Sequence, residues 1–162
     1  MVPFAKTGGL GDVCGALPLA LDQAGVRCTA FLPGYRSVMQ CGLPIEPTPY
    51  SFTIPIARKY VACRLLKTRL TNSQVDVYLI DQPQYFDRSE LYSDANGEYR
   101  DNCERFSFYC RAVAEAIHQL GLNVDILHCH DWQTGLLPAY AATNYREYPW
   151  LEHTRTLMTI HN

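Results

Sequence analysis

Pro3-Phe4-Ala5-Lys6-Thr7-Gly8-Gly9-Leu10-Gly11-Asp12 is a lysine- and glycine-rich turn that runs straight into an apolar helical pattern. Leu10, Val13, Cys14, Leu17, Leu21 and Ala24 recur at helical spacing, which predicts a helix over 10–24 that Gly25 stops. Pro18 lies inside that pattern and removes one backbone hydrogen bond, so a bend is expected between Cys14 and Pro18. Glycines let the backbone come close to a bulky ligand, and the unpaired N–H groups that open a helix carry partial positive charge. With Lys6 adding a full charge, the turn reads as a grip for a diphosphate. Glycines that serve only packing are the other reading, and the turn alone leaves both open.

Downstream, strand and helix patterns alternate. Residues 26–32 form a short apolar strand ending at Pro33-Gly34. Residues 51–56 and 60–66 are extended runs separated by a polar turn, which predicts an antiparallel hairpin inserted in the main sheet. Residues 75–80 read as a further strand, ending at Asp81-Gln82-Pro83. The segment 84–102 is rich in Tyr, Asp, Ser and Asn with little periodicity, the mark of a long polar loop with a functional role. Phe106, Tyr109, Cys110, Val113, Ile117 and Leu120 then line one face of the clearest helix, closed by Gly121. A strand over 124–128 leads to His130-Asp131-Trp132, a helical stretch covers about 135–144, and a strand over 156–160 leads to His161-Asn162. The result is an α/β domain with a mostly parallel sheet, whose polar residues gather after the strands, where ligands bind in open parallel sheets.

At 162 residues the chain is long enough for one globular core, and 48% apolar with 19% charged residues is neither a disordered nor a membrane composition. A formal charge of −2 with interspersed signs argues against nucleic acid, and no apolar run is long enough to cross a bilayer. Seven cysteines, an odd number without a Cys-x-x-Cys pair, point to reduced thiols in a reducing compartment and not to a metal site; the expected setting is the cytoplasm, or the plastid stroma in a plant or alga.

His128 and His130 alternate along a strand and share a face, which raises a metal site. A metal-dependent His-x-His-x-Asp-His pattern needs Asp at 132 and His at 133. Trp132 and Gln133 stand there instead, and His118 and His153 lack ligand spacing. No metal or other cofactor is therefore expected, and His128 reads as a strand residue with a hydrogen-bond partner.

Lys6-Thr7-Gly8-Gly9-Leu10-Gly11-Asp12, His130-Asp131-Trp132 and Thr159-Ile160-His161-Asn162, in that order, resemble the N-terminal domain of bacterial-type glycogen and starch synthases. Gly15-Ala16-Leu17-Pro18, Phe31-Leu32-Pro33-Gly34-Tyr35, Tyr85-Phe86-Asp87-Arg88 and Gly135-Leu136-Leu137-Pro138-Ala139-Tyr140 agree. The resemblance implies half of a GT-B glycosyltransferase with two facing Rossmann-like domains. Residues 1–162 would form a partial acceptor-side domain, cut at both ends, without the C-terminal nucleotide-binding domain. The implied reaction is retaining transfer of glucose from ADP-glucose to the non-reducing end of an α-1,4-glucan, with the fragment inactive alone.

The resemblance also implies roles. Lys6, Gly8 and Gly9 contact the donor diphosphate, and Asp12 supports the site, unless it only caps the helix start. His161 and Asn162 lie against the donor glucose, Tyr92 near the donor, and Asp131 and Trp132 along the acceptor side, with His161 and Asp131 the catalytic pair. ADP-glucose, the glucan and the rest of the enzyme are the implied partners. In place of ADP-glucose another nucleotide sugar fits the same fold, and a non-catalytic glucan-binding module is the third reading.

Overall fold

The computed structural model describes Met1, Phe4 and residues 8–161, which divide into two compact units. The first comprises Met1–Ser51 with Cys63–Tyr99, the second Phe52–Ala62 with Arg100–Asn162.

The first unit opens with α1 (Gly8–Gln23), which contains Pro18. Among its described positions Gly11, Gly15 and Pro18 are buried, Val13 is exposed and Leu10, Leu17 and Leu21 are half-buried, and Ala24, just past its end, is exposed. The buried positions are thus two glycines and a proline, not the leucines the apolar spacing favours. Gly25 at φ 78° closes the helix, with Val26 N–H donating to the Leu21 carbonyl at 2.9 Å, the six-to-one bond of a Schellman cap. The side chain of Asp22 accepts from the Gln74 N–H at 3.0 Å and so ties the helix end to the turn before a strand.

β1 (Thr29–Pro33) follows, then the short α2 (Arg36–Met39) and two long strands, β2 (Glu46–Ile56) and β3 (Lys59–Arg69). With β4 (Asp76–Asp81) they form a sheet of order β1-β4-β3-β2, in which β1 runs parallel to β4 and β3 antiparallel to it. The expected hairpin is present, longer than its apolar core, and it makes the sheet mixed. Along β2 the inward positions alternate from Thr48 to Ile56, the period of a strand with one wet face. β4 differs. Val77, Tyr78, Leu79 and Ile80 are all buried, as in a strand covered on both faces. Between β2 and β3, Ala57 takes a left-handed φ of 51°, a conformation a two-residue hairpin turn asks of its first position and that glycine adopts without strain.

The segment after β4 is more structured than its composition suggests. It holds α3 (Pro83–Phe86), capped by the Gln82 side chain accepting from Gln84 N–H at 2.9 Å, and the paired strands β5 (Ser93–Asp94) and β6 (Gly97–Glu98). Tyr35 packs edge-on against both Phe86 and Tyr92, with centroids 5.6 and 6.4 Å apart, and so anchors this segment.

The second unit is built on α4 (Asn102–Gln119). Phe106, Tyr109, Cys110, Val113 and Ile117 of its expected apolar face are buried, while Leu120, the residue that caps its end, is half-buried; Phe108, Ala112, Ala114 and Ala116 are buried too, which makes it a helix covered nearly all round. Gly121 at φ 62° ends it, with Leu122 N–H donating to the Ile117 carbonyl at 3.2 Å. β7 (Ile126–His130), α5 (Asp131–Thr134), α6 (Leu137–Ala142), a 3-10 turn (Pro149–Leu151) and β8 (Arg155–Thr159) complete it, with β7 and β8 paired in parallel. Arg111 of α4 fastens several parts. Its guanidinium donates to the Pro55 carbonyl at the hairpin tip and to the Tyr145 hydroxyl at 3.2 Å. On the next turn Glu115 accepts from the Tyr148 hydroxyl at 2.6 Å.

Two substitutions have opposite signs. A Cβ on Gly34 meets the Ile80 carbonyl oxygen at 3.2 Å and Asp81 Cα at 3.3 Å, both backbone atoms of β4 that cannot turn aside. Gly34→Ala lowers the unfolding free energy by about 1–3 kcal/mol. Ala57→Gly raises it by about 0.5 kcal/mol, the relieved left-handed strain exceeding the extra entropy of an unfolded glycine. Urea melts of the two variants beside the parent chain check both.

Candidate functional site

In a parallel pair both strands end at the same edge, and the residues that follow them converge there. β7 and β8 are in register with His130 beside Thr159, so Asp131 and His161 emerge together. Asp131 takes a left-handed φ of 57°, the turn needed to pass from strand into α5 within one residue. Asp and Asn tolerate that region better than other side chains, and a non-glycine residue held there marks stored strain of the kind found at functional sites. Its carboxylate Oδ1 accepts the His161 backbone N–H at 2.6 Å, tying the two connections.

Beside this bond lies a row of imidazoles. His128 Nε2 is 2.8 Å from Thr159 Oγ1, which gives His128 the partner expected for it. The rings of His128 and His130 are 4.1 Å apart, and His130 Nδ1 lies 3.0 Å from His161 Nε2. Burial, then the proximity of His128 and of His161, pushes His130 down to about 4, against a smaller opposing effect of Asp131. Burial and His161 also lower His128. The row is therefore uncharged at neutral pH at its centre. Trp132 is 53% exposed, with its ring edge-on to Phe106 at 4.9 Å, so an aromatic surface stands open beside the carboxylate. Behind, Cys110 and Cys129 are buried, and burial raises their thiols to about 12 and about 11. They are inert core groups. All seven cysteines are free, and among the described residues no cluster of three or more His, Cys, Asp or Glu is arranged to hold a metal ion.

Of the residues singled out from the sequence, the second unit brings together Asp131, Trp132 and His161. The first unit holds Gly8 and Gly9 as the opening residues of α1, Asp12 exposed on that helix, and Tyr92 half-buried against Tyr35. Lys6 and Asn162 lie outside the described residues. His130 and Thr159 had no assigned role in the sequence. The signal was the matched spacing of His128-Cys129-His130 and Thr159-Ile160-His161, which becomes meaningful once the strands are taken as parallel neighbours.

The first unit has its own edge groove, where β1 and β4 end, lined by Gly34, Arg36, Arg64, Asp81, Pro83 and Asp87. Both arginines are engaged there. Arg36 Nε pairs with Asp87 at 2.6 Å, and Arg64 with the buried Asp81 at 2.6 Å, so the groove offers little uncompensated charge for an anion.

The architecture is that of an α/β glycosyltransferase catalytic domain: the catalytic domain of starch synthase IV from Arabidopsis thaliana, bound to ADP and acarbose, matches with a TM-score of 0.87 at 29% identity over 100% of this chain and 32% of that one. Residues 1–162 match the starch synthase catalytic domain family, and the chain belongs to it. It is 46% identical to the glycogen synthase of Rhodopirellula baltica over 170 residues, covering 99% of this chain and 34% of that protein. Against the glycogen synthase of Elusimicrobium minutum the identity is 44%, with 99% and 33% covered. The chain thus spans about a third of the length of these relatives. The resemblance seen in the three motifs is to the same family. No helix among the described residues is long and apolar enough to cross a membrane.

His130 gives the site a pH signature. An unfolded imidazole takes its proton near 6.5 and the folded one near 4, so between those values the unfolded chain binds more protons, and stability falls as pH drops from about 6.5 to about 4. In urea melts across that window His130→Asn loses less stability than the parent, and equal slopes would refute the assignment.

Proposed function

We propose that this chain is the acceptor-side part of a retaining glucosyltransferase that moves glucose from ADP-glucose to the non-reducing end of an α-1,4-glucan. The observation that carries the reading is the Asp131–His161 bond at the strand edge with Trp132 exposed beside it, in a chain of the starch synthase family. The ADP and acarbose bound to the Arabidopsis neighbour support a nucleotide and a sugar-like ligand for the same fold.

In this reading Lys6 and the backbone amides at Gly8 and Gly9 stabilise negative charge on the departing diphosphate, the work of fixed donors aimed at where charge develops. Asp12 supports that turn. His161 and Asn162 present dipoles to the donor glucose, whose transition state has oxocarbenium character, and Tyr92 lies near the donor. Trp132 offers a flat apolar surface for a ring of the acceptor. Asp131 keeps His161 at its place through the backbone N–H and lines the acceptor side, which makes the pair the catalytic core of this part. The remaining two thirds of a family member's length supplies the domain that holds the nucleotide. Free thiols throughout suit a reducing, cytoplasmic setting.

Two measurements test it. Built into a full-length family enzyme, Lys6→Ala lowers kcat for transfer from ADP-glucose by about 10²–10³-fold, the loss typical of one charge-stabilising donor. Unaltered kinetics would remove Lys6 from the reaction. The 162-residue chain alone elongates no glucan with ADP-glucose, and incorporation of labelled glucose by it would overturn the reading of this chain as one part of the machinery.

A further inference from the structure

The imidazole row contains a residue that the reaction outlined above does not use. His130 sits at the end of β7, half-buried, with Nδ1 3.0 Å from Nε2 of His161 and the two rings nearly parallel at 29°. Its ring also lies against that of His128, with centroids 4.1 Å apart, and His128 is itself held by Thr159. His161 is thus gripped twice. Its backbone N–H is bonded to Asp131 Oδ1, and its Nε2 is bonded to His130, while its Nδ1 has no hydrogen-bond partner among the described residues.

A hydrogen bond between two ring nitrogens requires one to carry the proton and the other to accept it. Once Nε2 is committed in this way, the protonation of Nδ1 is decided as well, because a neutral ring carries a single proton. We propose that His130 is a positioning residue that fixes both the ring plane and the tautomer of His161, so that Nδ1 meets a sugar hydroxyl in one defined hydrogen-bonding sense. The assignment of a sugar to His161 rests on the function proposed above; the control of its tautomer does not. The low proton affinity of His130 agrees with this arrangement, since it keeps that ring neutral and able to donate or accept through Nδ1.

The test is long-range proton–nitrogen NMR of the imidazole rings in the 162-residue chain at pH 7.5 without nucleotide. In the parent chain the two nitrogens of His161 give widely separated shifts, one protonated and one bare. His130→Phe keeps a stacked ring but no nitrogen, and the two shifts move together towards the exchange average. His130→Asn places an amide group where Nδ1 stood, and the separation returns. Should the Phe variant not fold, His130→Ser, too short to reach His161, gives the same collapse. An averaged His161 in the parent chain overturns the proposal, and so does a separation that survives both Phe and Ser. Neither outcome depends on glucosyl transfer, so a failure of the proposed reaction is read separately in the elongation assay.

Discussion

The parallel pairing of β7 with β8 is the constraint on which the candidate site depends. Only with His130 in register beside Thr159 do the connections after the two strands leave the sheet at one edge, close enough for the Asp131 carboxylate to take the His161 amide at 2.6 Å. A slip of one residue turns every side chain to the other face, which would bury His128 and His130 and expose Leu127 and Cys129. The buried Leu127 and Cys129 and their neighbour Cys110 on α4 resist that slip, since exposing them forfeits apolar burial. Core packing on one face of the strand therefore sets the chemistry on the other.

The same logic accounts for the positive φ at Asp131. A strand cannot continue directly into a helix without a sharp change of direction, and one left-handed residue provides it. Aspartate tolerates the conformation, and its carboxylate recovers stability by accepting a backbone N–H that would otherwise lack a partner at the strand end. The backbone turn and the tie to His161 are thus met by one residue, and a change made for either purpose disturbs both.

Much of this could be read from the sequence, and the exceptions share a cause. α4 and its glycine stop were legible because an 18-residue periodic run closed by Gly121 is a local signal. The hairpin was legible from two apolar runs either side of a turn. The inward face of α1 was not, because Gly11 and Gly15 carry no apolar signature and Pro18 reads as a helix breaker. Nor were β5 and β6, two residues each, held by Asp94 accepting from Asn96 N–H at 2.7 Å and by a backbone bond from Tyr99 to Tyr92. At the site, Asp131, Trp132 and His161 stood out as a motif. The contact of His130 with His161 spans 31 residues and exists only through strand register, which no window along the chain reports.

The hairpin has a consequence for biogenesis. Its tip, residues 52–62, is made long before α4 yet belongs to the same compact unit, while residues 63–99 return to the first. Neither unit is a continuous stretch of polypeptide, so on the ribosome the first stays open until residue 99 has emerged, and the early tip waits for Arg111 to fasten it. Such interleaving resists excision of either unit as an independent module, and it obliges any shuffling of this domain to move both together.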